Sequence, residues 1–461
     1  MIKGKLIGDR VFYSRVFAVM MPVLLQNLIT NFVSLLDNIM VGQVGTEQMS
    51  GVAIVNQLAF VFNLAMFGVV SGGGVFSAQY FGKGDQKGVA DALKTKLYGA
   101  LILVALTISL ALIKGEFLIN AFLHDSGDGL NLAITFENAE RYLKIMLLGF
   151  VPFAITQSVG STLREISRTI VPMRAGLIAV AVNLFFNWML IYGKLGAPAL
   201  GVAGAAIATV ISRYVECLIV VIWPILHKDQ ALFVNHFRGF GVPKSLMQGV
   251  IKIGIPMFLN ELLWGGGQTM LNQIMSFRGL SVVSGLNISS TVSILFECTY
   301  LSMGVALSII LGQSLGAGEM DRAYDESRKL SFFCVVMSAA IGLIMLLIAR
   351  QIPNIYNTTN EVKQIAGSLI IVSAACMPLK GYVICLYYTI RSGGKTIITF
   401  LFDSFYTWAV CIPVVYLLIH HTNLDIISVN IWFQFAANIK IIAGWLLVKS
   451  RFWLVNLVEK H

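Results

Sequence analysis

A run of about 20 apolar residues spans the hydrocarbon core of a bilayer as a helix. Such runs recur along the whole of this chain, with clear cases at 16–36, 97–113 and 332–349. Lipid offers no partner to a backbone N–H or C=O, so each run must satisfy its own hydrogen bonds and reads as helix. The charge content agrees. Only 12% of the 461 residues are charged and 57% are apolar. A soluble domain carries about 25% charged residues, so too few remain here to coat a water-facing surface. The sequence therefore predicts an all-α polytopic membrane protein. Its twelve helices are expected near 13–38, 52–80, 93–114, 139–161, 170–192, 199–226, 246–276, 283–312, 327–350, 364–389, 397–419 and 429–449.

The net charge of +10 does not point to nucleic acid, because the basic residues fall in alternate loops. One side holds Lys3, Lys5, Arg10, Arg15, Lys83, Lys87, Lys94, Lys96, Arg164, Arg168, Lys228, Arg238, Arg322, Arg328, Lys329, Arg391 and Lys395, among others. The other holds Lys114, Arg141, Lys144, Lys194, Arg278, Arg350 and Lys363. The positive-inside rule then places both termini in the cytoplasm, at a cytoplasmic or plasma membrane. The six cysteines lie in apolar stretches without CxxC or CxxH spacing, so neither a disulfide framework nor a metal site is expected. His124, His227, His236, His420, His421 and His461 fall in loops or at the terminus, which argues against a membrane-embedded enzyme. No cofactor is expected.

The chain also contains itself twice. An offset of 256 − 22 = 234 pairs Pro22 with Pro256, Asn38 with Asn272, Gly45 with Gly279, Gln79 with Gln313, Gly82 with Gly316 and Gly84 with Gly318. The expected organisation is a six-helix lobe at 1–226, a cytoplasmic linker at 227–245 and a second six-helix lobe at 246–461. Both copies start on the same side, so they are parallel repeats, an arrangement suited to alternating access.

An ionisable group at membrane depth is expensive and so marks a functional candidate. Asp37 shares with Gln26, Asn27, Thr30, Asn31, Ser34 and Asn38 an arc of roughly 140° on the first helix. Asn183 and Asn187, four apart, share one face of the fifth. In the second half Glu261, Lys380 and Asp403 are expected to form another polar site, with Glu297 nearby in the eighth helix. Arg213 and Glu216 are expected to pair structurally. The chain has no Walker A motif, so an ion gradient is the expected energy source.

Several segments together resemble the multidrug and toxic compound extrusion (MATE) family. They are Pro22 with 37–42 (DNIMVG), 79–85 (QYFGKGD), Leu163-Arg164, 183–188 (NLFFNW), Tyr192-Gly193 and 201–206 (GVAGAA), with repeat copies at 313–319 and 391–396. The resemblance implies two lobes around a V-shaped central cavity. It implies antiport of small organic, often cationic or amphiphilic, compounds against H+ or Na+, in a monomer surrounded by membrane lipid. Asp37 matches the family's first-helix acid, Asn183 and Asn187 its polar pair, and Glu261 its seventh-helix acid. Sodium at Asp37 or at Glu261 stays open, as does the coupling ion itself. A lipid-linked oligosaccharide flippase of related fold is the alternative.

Overall fold

The computed structural model describes residues 6–123, 131–237, 239 and 241–459. Lys3, Lys5, His124, Arg238 and His461 lie outside them. Among the described residues the chain is helical throughout, without strands. The helices are α1 (Arg10–Gly42), α2 (Thr46–Lys83), α3 (Gln86–Asn120), α4 (Leu132–Leu147), α5 (Phe150–Glu165), α6 (Ile170–Tyr192) and α7 (Val202–Leu226). They continue as α8 (Lys244–Ser276), α9 (Leu280–Gly316), α10 (Met320–Ile348), α11 (Asn360–Ser392), α12 (Thr396–His421) and α13 (Ile426–Lys449). Eleven of these are long and apolar enough to cross a membrane, and α4 with α5 makes a twelfth span broken by a 49° bend. The break has a cause in the sequence. Pro152 lacks an N–H and its ring crowds the carbonyl four residues back, at Leu148, where the helix stops.

The helices overrun the apolar windows that announced them, by three to seven residues at many ends; α4, for instance, starts at Leu132 rather than 139. Charged turns beyond the lipid remain helical because caps hold them. Asp85 accepts from Gly88 N at 2.8 Å to open α3, and Asn131 accepts from Ala133 N at 3.0 Å to open α4. Exposed apolar side chains run along the spans, for example Ile102, Leu106, Leu112 and Ile113 on α3 and Leu343 and Leu347 on α10. Such faces suit hydrocarbon and not water.

The chain divides into two compact units. One comprises 25–77 and 85–250, the other 1–24, 78–84 and 251–461. The first is built on a core that includes Val55, Phe62, Met66, Ala100, Tyr142, Phe150 and Ala206. Small residues bring its helices close. A Cβ on Gly204 would meet the Leu190 carbonyl at 2.6 Å, and one on Gly74 would meet Glu165 Oε1 at 2.5 Å. Lys94 and Lys96, expected among the loop charges, are instead buried inside α3. Lys96 pairs with Glu165 of α5 and donates to Thr162 Oγ1 at 3.0 Å and Ser161 Oγ at 3.2 Å.

The second unit has a core of Met303, Leu307, Leu311, Leu330, Met377 and Trp453, and a smaller cluster around Leu271, Val415 and Val429. Here the C-terminal end of α2 packs on the C-terminal end of α9. Gly82 lies against the Gln313 carbonyl, and its repeat mate Gly316 lies against the Gln79 carbonyl. The segment after α13 closes over this crossing. Trp453 is fully buried, Gln79 Nε2 donates to the carbonyls of Ser392 (3.0 Å) and Val455 (3.2 Å), and Gln79 Oε1 accepts from Leu457 N at 2.7 Å. Lys83 Nζ donates to the Val458 carbonyl at 2.7 Å.

Candidate functional site

In the first unit Asp37 sits near the end of α1, half-buried against α6. Asn187 Nδ2 donates to Asp37 Oδ1 at 2.7 Å. Asn183, one turn earlier, is 6% exposed and Asn187 2%. With its amide nitrogen turned to the acid, Asn183 donates to Asp37 Oδ1 at 3.0 Å and Oδ2 at 3.2 Å; in the opposite orientation it accepts from Asn187 Nδ2 at 3.1 Å. The choice of amide orientation follows from the hydrogen bonds it makes, and the carboxylate takes the donors. Thr209 of α7 lies 3.4 Å from the far end of the Asn183 amide. The Asn187 Oδ1 atom is buried and has no hydrogen-bond partner. Beyond the acid, Tyr192 donates to Gln43 Oε1 at 2.8 Å.

So Asn183 and Asn187 share a face as the helical spacing predicted, and the structure brings Asp37 to it. Gln26 lies beside Gly176 of α6, where Glu216 of α7 also points, and Asn31 is half-buried on α1. Thr30, Ser34 and Asn38 are exposed. Arg213 and Glu216 interact electrostatically as expected, and Arg213 also lies over the rings of Phe153 (5.0 Å) and Phe150 (5.8 Å). An arginine plane against aromatic faces gains from both charge and area.

The second unit divides the trio expected there. Glu261 and Asp403 are neighbours, gathered around Asn260 with Arg391 close by. Asn260 Nδ2 donates to Asp403 Oδ2 at 3.3 Å and to the Tyr387 hydroxyl at 3.3 Å. Its Oδ1 accepts from Ser404 N at 3.3 Å and Ser404 Oγ at 2.8 Å. Lys380 does not belong to this group. It faces Glu297 across the α9–α11 contact, Nζ to Oε1 2.8 Å, and donates to Ser373 Oγ at 3.2 Å. The lysine at Asp403 is Lys440 of α13, at 2.9 Å from Oδ1. Its ammonium rests over the rings of Phe402 and Tyr406. Asp403 is carried on a stretch of α12 wound in wide π turns, Leu401–Phe405, with another at Thr407–Cys411 just before Pro413. A proline removes the donor that would hold the preceding turn, and π turns are frequent at functional positions. The sequence signal for Lys440 is a lone charge fourteen residues into a span with no other charge before Lys449 at its end (440 − 426 = 14).

The sequence profile of the MatE family matches residues 22–189 and 256–417, one match in each repeat copy. The chain is 28% identical over 354 residues to "Multidrug resistance protein NorM" of Aliivibrio fischeri, covering 77% of this chain and 75% of the relative. It is 24% identical over 435 residues to "Probable multidrug resistance protein YoeA" of Bacillus subtilis, covering 92% and 91%. Among solved structures it resembles a MATE protein crystallised in the straight conformation, with a TM-score of 0.85, 19% identity and 97% of each chain covered. It also resembles an outward-facing multidrug resistance MATE family transporter of the MOP superfamily, with a TM-score of 0.84, 18% identity, and 97% and 98% covered.

Proposed function

The chain belongs to the MatE family, and on that basis we propose that it is a multidrug efflux carrier rather than an enzyme. In this reading it moves small organic, often cationic or amphiphilic, molecules out across the cytoplasmic membrane in exchange for a cation, by alternating access. Both termini face the cytoplasm, and a single chain in lipid is the working unit. The names of the relatives support export of drugs. The bias of basic residues supports the orientation.

One observation carries the coupling. Asp37 is an intramembrane carboxyl held by amide N–H groups from Asn187 and Asn183, beside a buried amide oxygen that lacks a donor. A carboxylate accepts from those amides; a protonated carboxyl supplies an O–H donor of its own. Taking up a proton therefore exchanges one set of α1–α6 hydrogen bonds for another and removes a charge from the membrane interior. Amide nitrogens around the acid favour H+ over Na+, since a hard cation takes oxygen ligands. A lipid-linked oligosaccharide flippase would need free basic groups for a pyrophosphate, whereas Lys380 gives its ammonium to Glu297.

Dye uptake into inverted vesicles, which is extrusion in the sense of the cell, tests this. Extrusion is expected to collapse when the proton gradient is dissipated, to persist without sodium, and to be lost in Asp37→Asn while dye binding survives. Gradient-driven extrusion by Asp37→Asn at the wild-type rate would falsify the assignment.

A further inference from the structure

We infer that Lys440 is a built-in counter-ion that occupies the cation place of the second unit, so that the Glu261–Asp403 group does not take sodium. Both Asp403 oxygens already face N–H donors, Oδ1 the Lys440 ammonium at 2.9 Å and Oδ2 the Asn260 amide at 3.3 Å. The remaining oxygen of that amide is engaged by Ser404 N and Oγ. A hard cation needs a shell of oxygens, and here the Asp403 and Asn260 oxygens are already turned toward N–H and O–H donors. The formal charges balance as well. Two acids, Glu261 and Asp403, meet two bases, Lys440 and Arg391, so no net charge remains to draw in an ion. Lys440 is held in place, since its side chain is 11% exposed and its ammonium lies 5.3 Å from the Phe402 ring centre. The charge pair cannot be broken cheaply at membrane depth, because either partner left alone is an uncompensated ion. Lys440 thus sets ion specificity by exclusion.

The consequence for coupling rests on the transport reading above, but the binding measurement does not. Purified full-length protein in detergent would be titrated with 22Na+ in an Asp37→Asn background, which removes the first unit's acid. The parent is expected to show no saturable sodium binding in the millimolar range. Lys440→Met, or Lys440→Gln should the first variant aggregate, is expected to gain one saturable site at least about tenfold tighter than any parent signal, a gain of about 1.4 kcal/mol or more. Lys440→Arg keeps the cation and gains none, and Lys440→Met combined with Asp403→Asn loses the gained site. Saturable sodium binding by the parent that disappears in Asp403→Asn overturns the inference without any Lys440 variant. So does a monodisperse Lys440→Met protein that binds no sodium. Failure of dye extrusion in vesicles would count against the transport reading and leave this result untouched.

Discussion

Lys96 has no accessible surface, and its ammonium is shared among Glu165, Ser161 and Thr162. Removing one member of a buried ion pair leaves the other uncompensated, which costs about 3–5 kcal/mol, whereas apolar replacement of both is often near neutral. Glu165→Gln is therefore expected to lower thermal stability sharply in detergent, and Lys96→Met with Glu165→Leu to recover most of the loss. A single variant no worse than the double would sink this account. Individual side chains were legible from sequence to different degrees. Asp37, Asn183 and Asn187 were readable because helical periodicity alone brings 183 and 187 to one face and sets an acid among amides on α1. The partner of Asp403 was not, because Lys440 lies on a helix 37 residues further on, and nothing local says which of several lysines it meets. Lys380 satisfied the same rule, that an intramembrane charge must be paired, with a different acid.

At the level of helices, the two sequence copies build matching joints. Gly84 and Gly318 both adopt positive φ, +80° and +79°, which turns the chain sharply between α2 and α3 and between α9 and α10. Gly82 and Gly316 each press against the backbone of the other copy's Gln, so neither has room for a Cβ. Because the obstacle is backbone, it cannot swing aside as a side chain would. Gly82→Ala and Gly316→Ala are expected to destabilise by similar amounts, about 1–3 kcal/mol each, read as paired drops in melting temperature. A harmless Gly316→Ala beside a damaging Gly82→Ala would show that the joint is not reciprocal. Helix number and order followed from apolar length, because lipid allows one solution to each such run. The ends did not, since a helix continues past the membrane wherever caps and charges permit. The broken fourth span was hidden by a window that averages across Pro152.

For the molecule as a whole, the count of spans fixes which loops share a side. Lys87, at the start of α3, and Lys194, after α6, are both exposed and are separated by three spans. Lys194→Cys is expected to react with a membrane-impermeant maleimide on intact cells, and Lys87→Cys only after permeabilisation. The native cysteines are buried or half-buried and give little background. Equal labelling of both positions from outside would break the topology. The repeat was visible in sequence as a constant offset. The composition of the two units was not, because residues 1–24 and 78–84 join the unit built on the later helices, and that depends on contacts hundreds of residues apart in sequence.

Synthesis runs from the N-terminus, so the C-terminal end of α2 reaches the bilayer long before its partners at 455–458 exist. Gln79 and Lys83 take their hydrogen bonds from Val455, Leu457 and Val458. Those bonds can form only once residues 455–458 have left the ribosome. Insertion of the helices and completion of the fold are thus separate events, and the second waits on the tail. A chain stopped after Lys449 should still integrate every span, yet remain open to a cytoplasmic protease near Gln79 and be cleared faster by membrane quality control. Pulse-chase with limited digestion would follow both.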